Sequence, residues 1–266
     1  MKTTTKIRKQ LDLFRTYLTA KHYSKRTIEQ YSSILKMFLS DFNEYPRDIT
    51  ANQITEWIAS KGNASTMGQY RGALKNYYDH VVGQSNKFKK IPYPKKENRV
   101  PQIMSQEVVI ERINSIDNLK HRMVVSVLYG AGIRLSELLD LRITDIDGDR
   151  NTLFIRHGKG GKDRVVPVSS KLIQDLRIYF KQYRPTSYLF EGQFGGIYSS
   201  TSVQNICRKY MKCNPHLLRH CNLTHLVESG VDISEVSKRA GHAKLETTMV
   251  YNHIATTFNP ITLLAA

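Results

Sequence analysis

The segment Gln84 to Pro101, QSNKFKKIPYPKKENRVP, constrains the fold of this chain more than any other stretch. It holds three prolines and six Lys/Arg and follows neither the helical nor the strand period. Proline removes an amide donor and fixes φ, so such a stretch cannot run through a helix interior or a central strand. The 266 residues should therefore build two cores, one on each side. The expected organisation is a first domain over 1–83, a basic linker over 84–101 and a second domain over 102–266, with a tail at 258–266.

Charge says what the two domains work on. Forty Lys+Arg against 23 Asp+Glu give a net charge of +17, which points to a polyanionic partner, nucleic acid first. The excess is uneven: residues 1–100 carry 19 basic and 8 acidic side chains, residues 101–266 carry 21 and 15. Lys87, Lys89, Lys90, Lys95, Lys96 and Arg99 in the linker are accordingly candidate DNA contacts. Three cysteines, an odd number, make no disulfide framework and suggest a reducing compartment. The start, MKTTTKIRKQLDLFR, has no apolar stretch of the export type. The longest apolar stretch, Met123 to Ile133, has 11 residues between Arg122 and Arg134, against the ~20 that a spanning helix needs. A cytoplasmic, nucleoid-associated protein with no membrane partner is the expectation.

Residues 1–83 read as four helices. Ile7, Leu11, Phe14 and Leu18 recur at helical spacing, as do Ile28, Tyr31, Leu35 and Phe38. Ser24 suits an N-cap, Thr50 with Gln53 forms a capping-box pattern before Ile54, Trp57 and Ile58, and a fourth helix runs from about Ser65 to Val82, closed by Gly83. Its stripe is Met67, Tyr70, Leu74, Tyr77 and Val81. Beyond the linker, Ser105 opens a helix, Arg122 to Tyr129 form an apolar one, and Arg134 to Leu141 continue helically after Gly130 and Gly132. Thr152–Arg156 and Arg164–Val168 are β-rich and flank HGKGGKD, a hairpin pattern. Helical patterns return at Leu172–Phe180, Ser202–Met211, His216–Glu228, Ile233–Arg239 and Glu246–Tyr251. The fold class is mainly α with a small hairpin or sheet.

Single residues decide nothing in a chain with 15 tyrosines, nine histidines and 40 basic residues. Arg134 in GAGIRLSEL is by itself a solvated arginine at a helix start. Lys159 and Lys162 in HGKGGKDR tempt a phosphate-loop reading, but Asp163 stands where Ser or Thr is needed and a strand follows, not a helix. A basic hairpin tip remains, either solvated or entering a DNA groove through Lys162 and Arg164. Cys213, His216, His220, Cys221 and His225 raise a zinc site, yet the pairs His216/His220 and Cys221/His225 point about 100° apart on a helix and no Cys-x-x-Cys exists. No metal site is assigned. His216 and Arg219, three apart, share a face on which imidazole and guanidinium could meet one phosphate. His242 follows a helix-ending glycine, and Tyr251 comes nine residues later.

Taken together, GIRLSEL, GKGGKDRVVPV, HLLRH and GHAKLETTMVY, in that order, resemble the tyrosine recombinase or phage integrase family, in particular its Xer-like and integron-integrase-like members. The resemblance implies an N-terminal four-helix, SAM-like core-binding domain and an α+β catalytic domain closing on DNA as a C-shaped clamp. It implies catalytic arginines at Arg134 and Arg219, a hairpin lysine at Lys159, histidines at His216 and His242, and a nucleophile at Tyr251. The chain departs from the family where Ala240 replaces the usual Leu and where Cys221, Asn222 and Leu223 replace a Ser/Thr-Phe-Ala run. Those positions face the core, beside the catalytic groups.

The implied chemistry is a site-specific DNA strand transfer through a 3′-phosphotyrosine and a Holliday junction, without cofactor, metal or ATP. The implied partners are double-stranded DNA bearing specific sites and a homo-tetramer on two of them; accessory DNA-bending or directionality proteins are compatible with it. A type IB topoisomerase, or an architectural DNA-binding protein without catalysis, are the alternatives. Phe258, Ile261, Leu263 and Leu264 make the tail too apolar to stand in water, so it should dock; the resemblance implies docking into a neighbouring protomer over docking in cis.

Overall fold

A computed structural model describes residues 2–95, 102–156, 163–241 and 248–249. The chain divides into two compact units, residues 1–99 and 100–266.

The first unit is built from α1 (Lys2–Ala20), α2 (Lys25–Asp41), α3 (Ala51–Ala59) and α4 (Ala64–Tyr77). Two of the helix starts are the ones the sequence marks. The Ser24 hydroxyl accepts from the Thr27 amide at 3.3 Å, and Thr50 and Gln53 exchange hydrogen bonds at 3.3 and 2.8 Å as a capping box. Such caps contribute about 1 kcal/mol each. The apolar stripes meet in one core around Phe14, Leu18, Leu35, Phe38, Ile54, Trp57, Leu74 and Tyr77.

The fourth helix departs from expectation at its end. Tyr78–Val82 form a π-turn, closed by Gly83 at φ +75°. The wider turn rotates the buried face, so Tyr78 and Val82 enter the core and Val81, which the helical period points inward, stays only half-buried.

The linker boundary is also corrected. Ser85–Lys89 form a 3₁₀ turn, and Phe88 and Ile91 are buried in the first core. Arg71 fixes them by donating from Nη2 to the carbonyls of Phe88 at 3.2 Å and Ile91 at 2.9 Å. Two apolar side chains three apart carry this otherwise basic stretch onto the first unit, so residues 84–91 are part of its body.

The second unit comprises α5 (Gln106–Asn114), α6 (Leu119–Ala131), α7 (Leu135–Asp140), β1 (Ile146–Asp147), β2 (Thr152–Ile155), β3 (Arg164–Pro167), α8 (Ser170–Tyr183), α9 (Ser200–Ile206), α10 (Pro215–Glu228) and α11 (Ile233–Ala240). The apolar α6 is its centre and packs on α5, α7, α8, α9 and α10. Residues Cys207–Met211, expected as helix, form a second π-turn after α9. Of Glu246–Tyr251, only Thr248 and Met249 lie among the described residues, and both are helical.

The sheet is antiparallel in the order β1-β2-β3. The short β1, two residues long, was not expected; it pairs Ile146 with Leu153. Between β2 and β3, Leu153 faces Val166 and Ile155 faces Arg164. Leu153, Ile155 and Val166 are buried while Val165 is exposed, so the period of two places Arg164 on the inner face with Ile155 and Val166. No helix among the described residues is long and apolar enough to cross a membrane.

Candidate active site

Three chain ends of the second unit converge. Helix α6 stops at Gly132, which takes φ +61° and donates its amide to the Tyr129 carbonyl at 3.1 Å. Glycine is required there twice over: the left-handed backbone disfavours a side chain, and a Cβ would sit 2.2 Å from Asn222 Oδ1. The chain then runs extended through Ile133 to Arg134, the N-cap of α7.

Glu137, three residues into that helix, reaches back. Its Oε2 accepts from the Arg134 amide and its Oε1 from Arg134 Nη1, each at 2.8 Å. The same carboxylate receives a two-pronged contact from Arg164, Nη1 to Oε1 at 3.0 Å and Nη2 to Oε2 at 2.7 Å. Burial alone would raise the Glu137 pKa, but the hydrogen bonds from Arg164 and Arg134 and the Arg164 charge outweigh it and hold the carboxyl at about 2.

Helix α10 supplies the second arginine. Asn214 caps it, accepting from the Leu217 amide at 3.0 Å, and Pro215 opens its first turn. Arg219 is 1% exposed, and its Nη1 and Nη2 donate to the carbonyls of Gly132 at 2.7 Å and Ala240 at 2.5 Å. These carbonyls end α6 and α11, and the partial negative charge of helix C-termini is a fitting seat for a buried guanidinium. Arg219 thereby ties together the segments that continue to Arg134 and to His242.

His216 stands at the surface of the first turn of α10, with its ring edge-on to His220 at 4.4 Å between centroids. Desolvation by the surrounding protein, then the charges of Arg219 and Arg134, lower its pKa, so the ring is neutral near pH 7 and able to take a proton. His220 is lowered to about 4 by burial, His216 and Arg219. Arg239 adds a further guanidinium, donating from Nη2 to the Gly130 carbonyl at 2.8 Å. Arg134 and Arg164 thus share one carboxylate, Glu137, while Arg219 and Arg239 are seated on main-chain carbonyls at the ends of α6 and α11.

Of the expected catalytic residues, Arg134, His216 and Arg219 are brought together; Lys159, His242 and Tyr251 lie outside the described residues. Lys96, Arg99 and Lys162, and the tail 258–266, lie outside them as well. Lys89, Lys90 and Lys95 are exposed, as DNA contacts must be.

Two of the expected DNA contacts, Arg164 and Lys87, have partners within the protein. Arg164 has a side chain 9% exposed, and besides Glu137 its Nε donates to the Arg239 carbonyl at 2.8 Å. Its donors serve the interior because its strand position faces inward. Lys87 donates to the carbonyls of Arg47 at 3.0 Å and Ile49 at 2.6 Å, and burial lowers its pKa. It staples the basic segment to the first unit.

Within the cysteine and histidine group, His225 takes a structural role. His225 uses both ring nitrogens, Nδ1 with the Tyr129 hydroxyl at 2.9 Å and Nε2 with the Met104 carbonyl at 3.0 Å. Burial pushes the Cys207 and Cys213 thiols up, to about 12 and about 11, which disfavours the thiolate that binds metal. Among the described residues no group of three or more His, Cys, Asp or Glu is placed to hold a metal ion.

Sequence reasoning missed Glu137 and Arg164 as a pair. The signal was present: an acid three residues into a helix is half of a capping box, and Arg164 shares strand parity with Val166. The departures at Cys221, Leu223 and Ala240 are fully buried and Asn222 is 8% exposed, so they do face the core.

Comparison with known proteins identifies the family. Residues 96–257 match the phage integrase family, and residues 11–87 match the phage integrase N-terminal SAM-like domain. The tyrosine recombinase XerA of Pyrococcus horikoshii is 34% identical over 259 residues, covering 92% of this chain and 89% of its own. A tyrosine recombinase of Thermosipho africanus is 29% identical over 270 residues, covering 93% and 95%. Among solved structures, XerH bound to a palindromic difH substrate in a post-cleavage complex shares the fold with a TM-score of 0.74 at 22% identity, covering 90% of this chain and 79% of that one. A lambda integrase tetramer bound to a Holliday junction gives 0.77 at 16% identity, covering 92% and 76%. Matched in both of its units and along nearly its whole length, the protein belongs to the phage integrase family of tyrosine site-specific recombinases.

Proposed function

We propose that this recombinase cuts and rejoins duplex DNA at specific sites through a covalent 3′-phosphotyrosine at Tyr251, with no metal ion and no ATP. A phosphodiester resists attack because its own charge repels a nucleophile and an alkoxide leaves poorly. Arg134 and Arg219 neutralise the charge that builds on the nonbridging oxygens. The Tyr251 oxygen attacks phosphorus, the bond to the 5′ oxygen breaks, and Lys159 protonates that oxygen as it leaves. His216, neutral near pH 7, assists removal of the tyrosine proton, and His242 hydrogen-bonds a nonbridging oxygen. The new phosphodiester retains the energy of the old one, so a second DNA hydroxyl can reverse the step onto a new partner.

The observation that carries this reading is Arg219, buried between two helix ends beside Arg134. A guanidinium held so firmly needs no rearrangement when charge develops, and its loss should cost roughly 10²-fold or more in rate, as loss of an oxyanion donor does.

In this proposal the first unit is the core-binding domain and both units bind DNA. Four protomers act on two sites through a Holliday junction, as the lambda integrase and XerH complexes on DNA encourage. The tail 258–266 docks in trans and couples the position of Tyr251 to assembly. The protein works in the cytoplasm on the nucleoid, with accessory proteins according to the site. A nicked suicide duplex tests the chemistry: wild type should accumulate a covalent adduct and Tyr251→Phe none, while binding stays within a few fold. A wild type that binds but never links to DNA would leave the architectural alternative.

A further inference from the structure

One carboxylate, two guanidiniums and a main-chain carbonyl lock together where α7, β3 and α11 meet. Glu137 has a side chain 4% exposed; its partners differ, Arg164 being 9% exposed and Arg134 21%. Arg164 is the inner partner, and it holds both carboxylate oxygens as a fork at 3.0 and 2.7 Å. Its Nε is committed to the Arg239 carbonyl at 2.8 Å. Gly241 packs so closely that a Cβ there would lie 3.3 Å from Arg164 Cδ and Nη1. Arg134 is the outer partner and gives the carboxylate one side-chain nitrogen, Nη1. A guanidinium carries five N–H donors, so most of those on Arg134 remain for a phosphate.

A buried carboxylate must be neutralised by some cation. With the Arg164 fork in place that need is met from inside, and Arg134 is oriented by Glu137 without being its sole counter-ion. Without Arg164, the carboxylate would claim Arg134. Arg164 is also the first residue of β3, and its anchor ties the start of that strand to α7 and to the end of α11.

We propose that Arg164 is a positioning residue for strand cleavage: it neutralises Glu137 from within, and so leaves the Arg134 guanidinium available to the scissile phosphate. This rests on the cleavage reading above, in which Arg134 meets that phosphate.

The test uses the full-length protein and a nicked half-site duplex, with binding and single-turnover adduct formation measured separately on Arg164→Gln, Glu137→Gln and the double variant. Arg164→Gln should bind the half-site within about threefold of wild type, with an unchanged salt slope, and form adduct at least tenfold more slowly. Adding Glu137→Gln should restore part of that rate, because the carboxylate that captures Arg134 is gone. Arg164→Lys, which keeps the charge but not the fork, should fall between, and it carries the same comparison with Glu137→Gln if Arg164→Gln does not fold. A double variant no faster than Arg164→Gln, or a rate loss in Arg164→Gln that disappears once its folded fraction is matched to wild type, would overturn the role. A flatter salt slope in Arg164→Gln would make Arg164 a DNA contact, and wild-type cleavage would make it dispensable; either overturns the proposal. A wild type that forms no adduct refutes the cleavage reading and this role with it, whereas an active wild type with unimpaired variants refutes this role alone.

Discussion

Replacing Gly132 by alanine should cost about 3 kcal/mol of stability, and about half of that cost should vanish when Asn222 is shortened. Two terms add. At φ +61° a residue with a Cβ sits in the left-handed region, which costs roughly 1–2 kcal/mol. The new Cβ would also lie 2.2 Å from Asn222 Oδ1 and 3.0 Å from its Cγ, well inside ordinary contact. Overpacking of this kind costs roughly 1–3 kcal/mol. Backbone cannot yield freely, because the Gly132 carbonyl holds Arg219 at 2.7 Å. Asn222→Ala removes Oδ1 and Cγ and leaves its own Cβ at 3.5 Å, an ordinary contact. Asn222 Oδ1 has no hydrogen-bond partner among the described residues, so its loss forfeits no bond made to them through that oxygen. In that background Gly132→Ala should cost only the backbone term, roughly 1–2 kcal/mol. Urea unfolding followed by far-ultraviolet circular dichroism measures both, and the fluorescence of Trp57, the single tryptophan, reports the first unit as an internal control. An equal cost in the two backgrounds, or less than about 1 kcal/mol in the first, would refute the steric argument.

Glu137→Gln should destabilise the protein at pH 7 by up to about 3 kcal/mol, from roughly 1.4 kcal/mol per pKa unit between 4.5 and about 2. A carboxyl depressed in the folded state stabilises fully above its unfolded pKa and loses that effect as pH falls through the folded value, so the gap should close between pH 4.5 and 2; a gap constant over that range refutes the pairing. Replacing Lys89, Lys90, Lys95 and Lys96 with alanine should flatten the log-log salt dependence of DNA binding by about 0.9 for each phosphate no longer neutralised, whereas Lys87→Ala should lower stability and leave the slope alone. Cleavage should survive EDTA, and inhibition by chelator would reopen the Cys213 region as a metal site.

Much of the fold is legible in the sequence because it rests on local rules. Ser24, Thr50 with Gln53, and Ser105 mark helix starts through hydrogen bonds to their own neighbours, and the stripes through Phe14 and Phe38 follow the helical period. The parts that differ depend on tertiary packing. Both π-turns insert a residue that no propensity signals, and residues 84–91 join the first unit only because its core has room for Phe88 and Ile91. At the site, Arg134, His216 and Arg219 stand in recognisable motifs, but Arg164 illustrates the limit of reading charge as exposure. Its role depends on Glu137 and Arg239, 27 and 75 residues away, and spacing along the chain does not reveal such partners.

The most direct test of the central claim is the identity of the amino acid that becomes linked to DNA. The adduct formed on a nicked duplex can be digested with nuclease and protease, and the modified peptide sequenced by mass spectrometry. The account predicts a nucleotide joined through its 3′ phosphate to Tyr251, with a free 5′ hydroxyl on the released strand. Linkage at Tyr198 or Tyr210, or to the 5′ end, would contradict it.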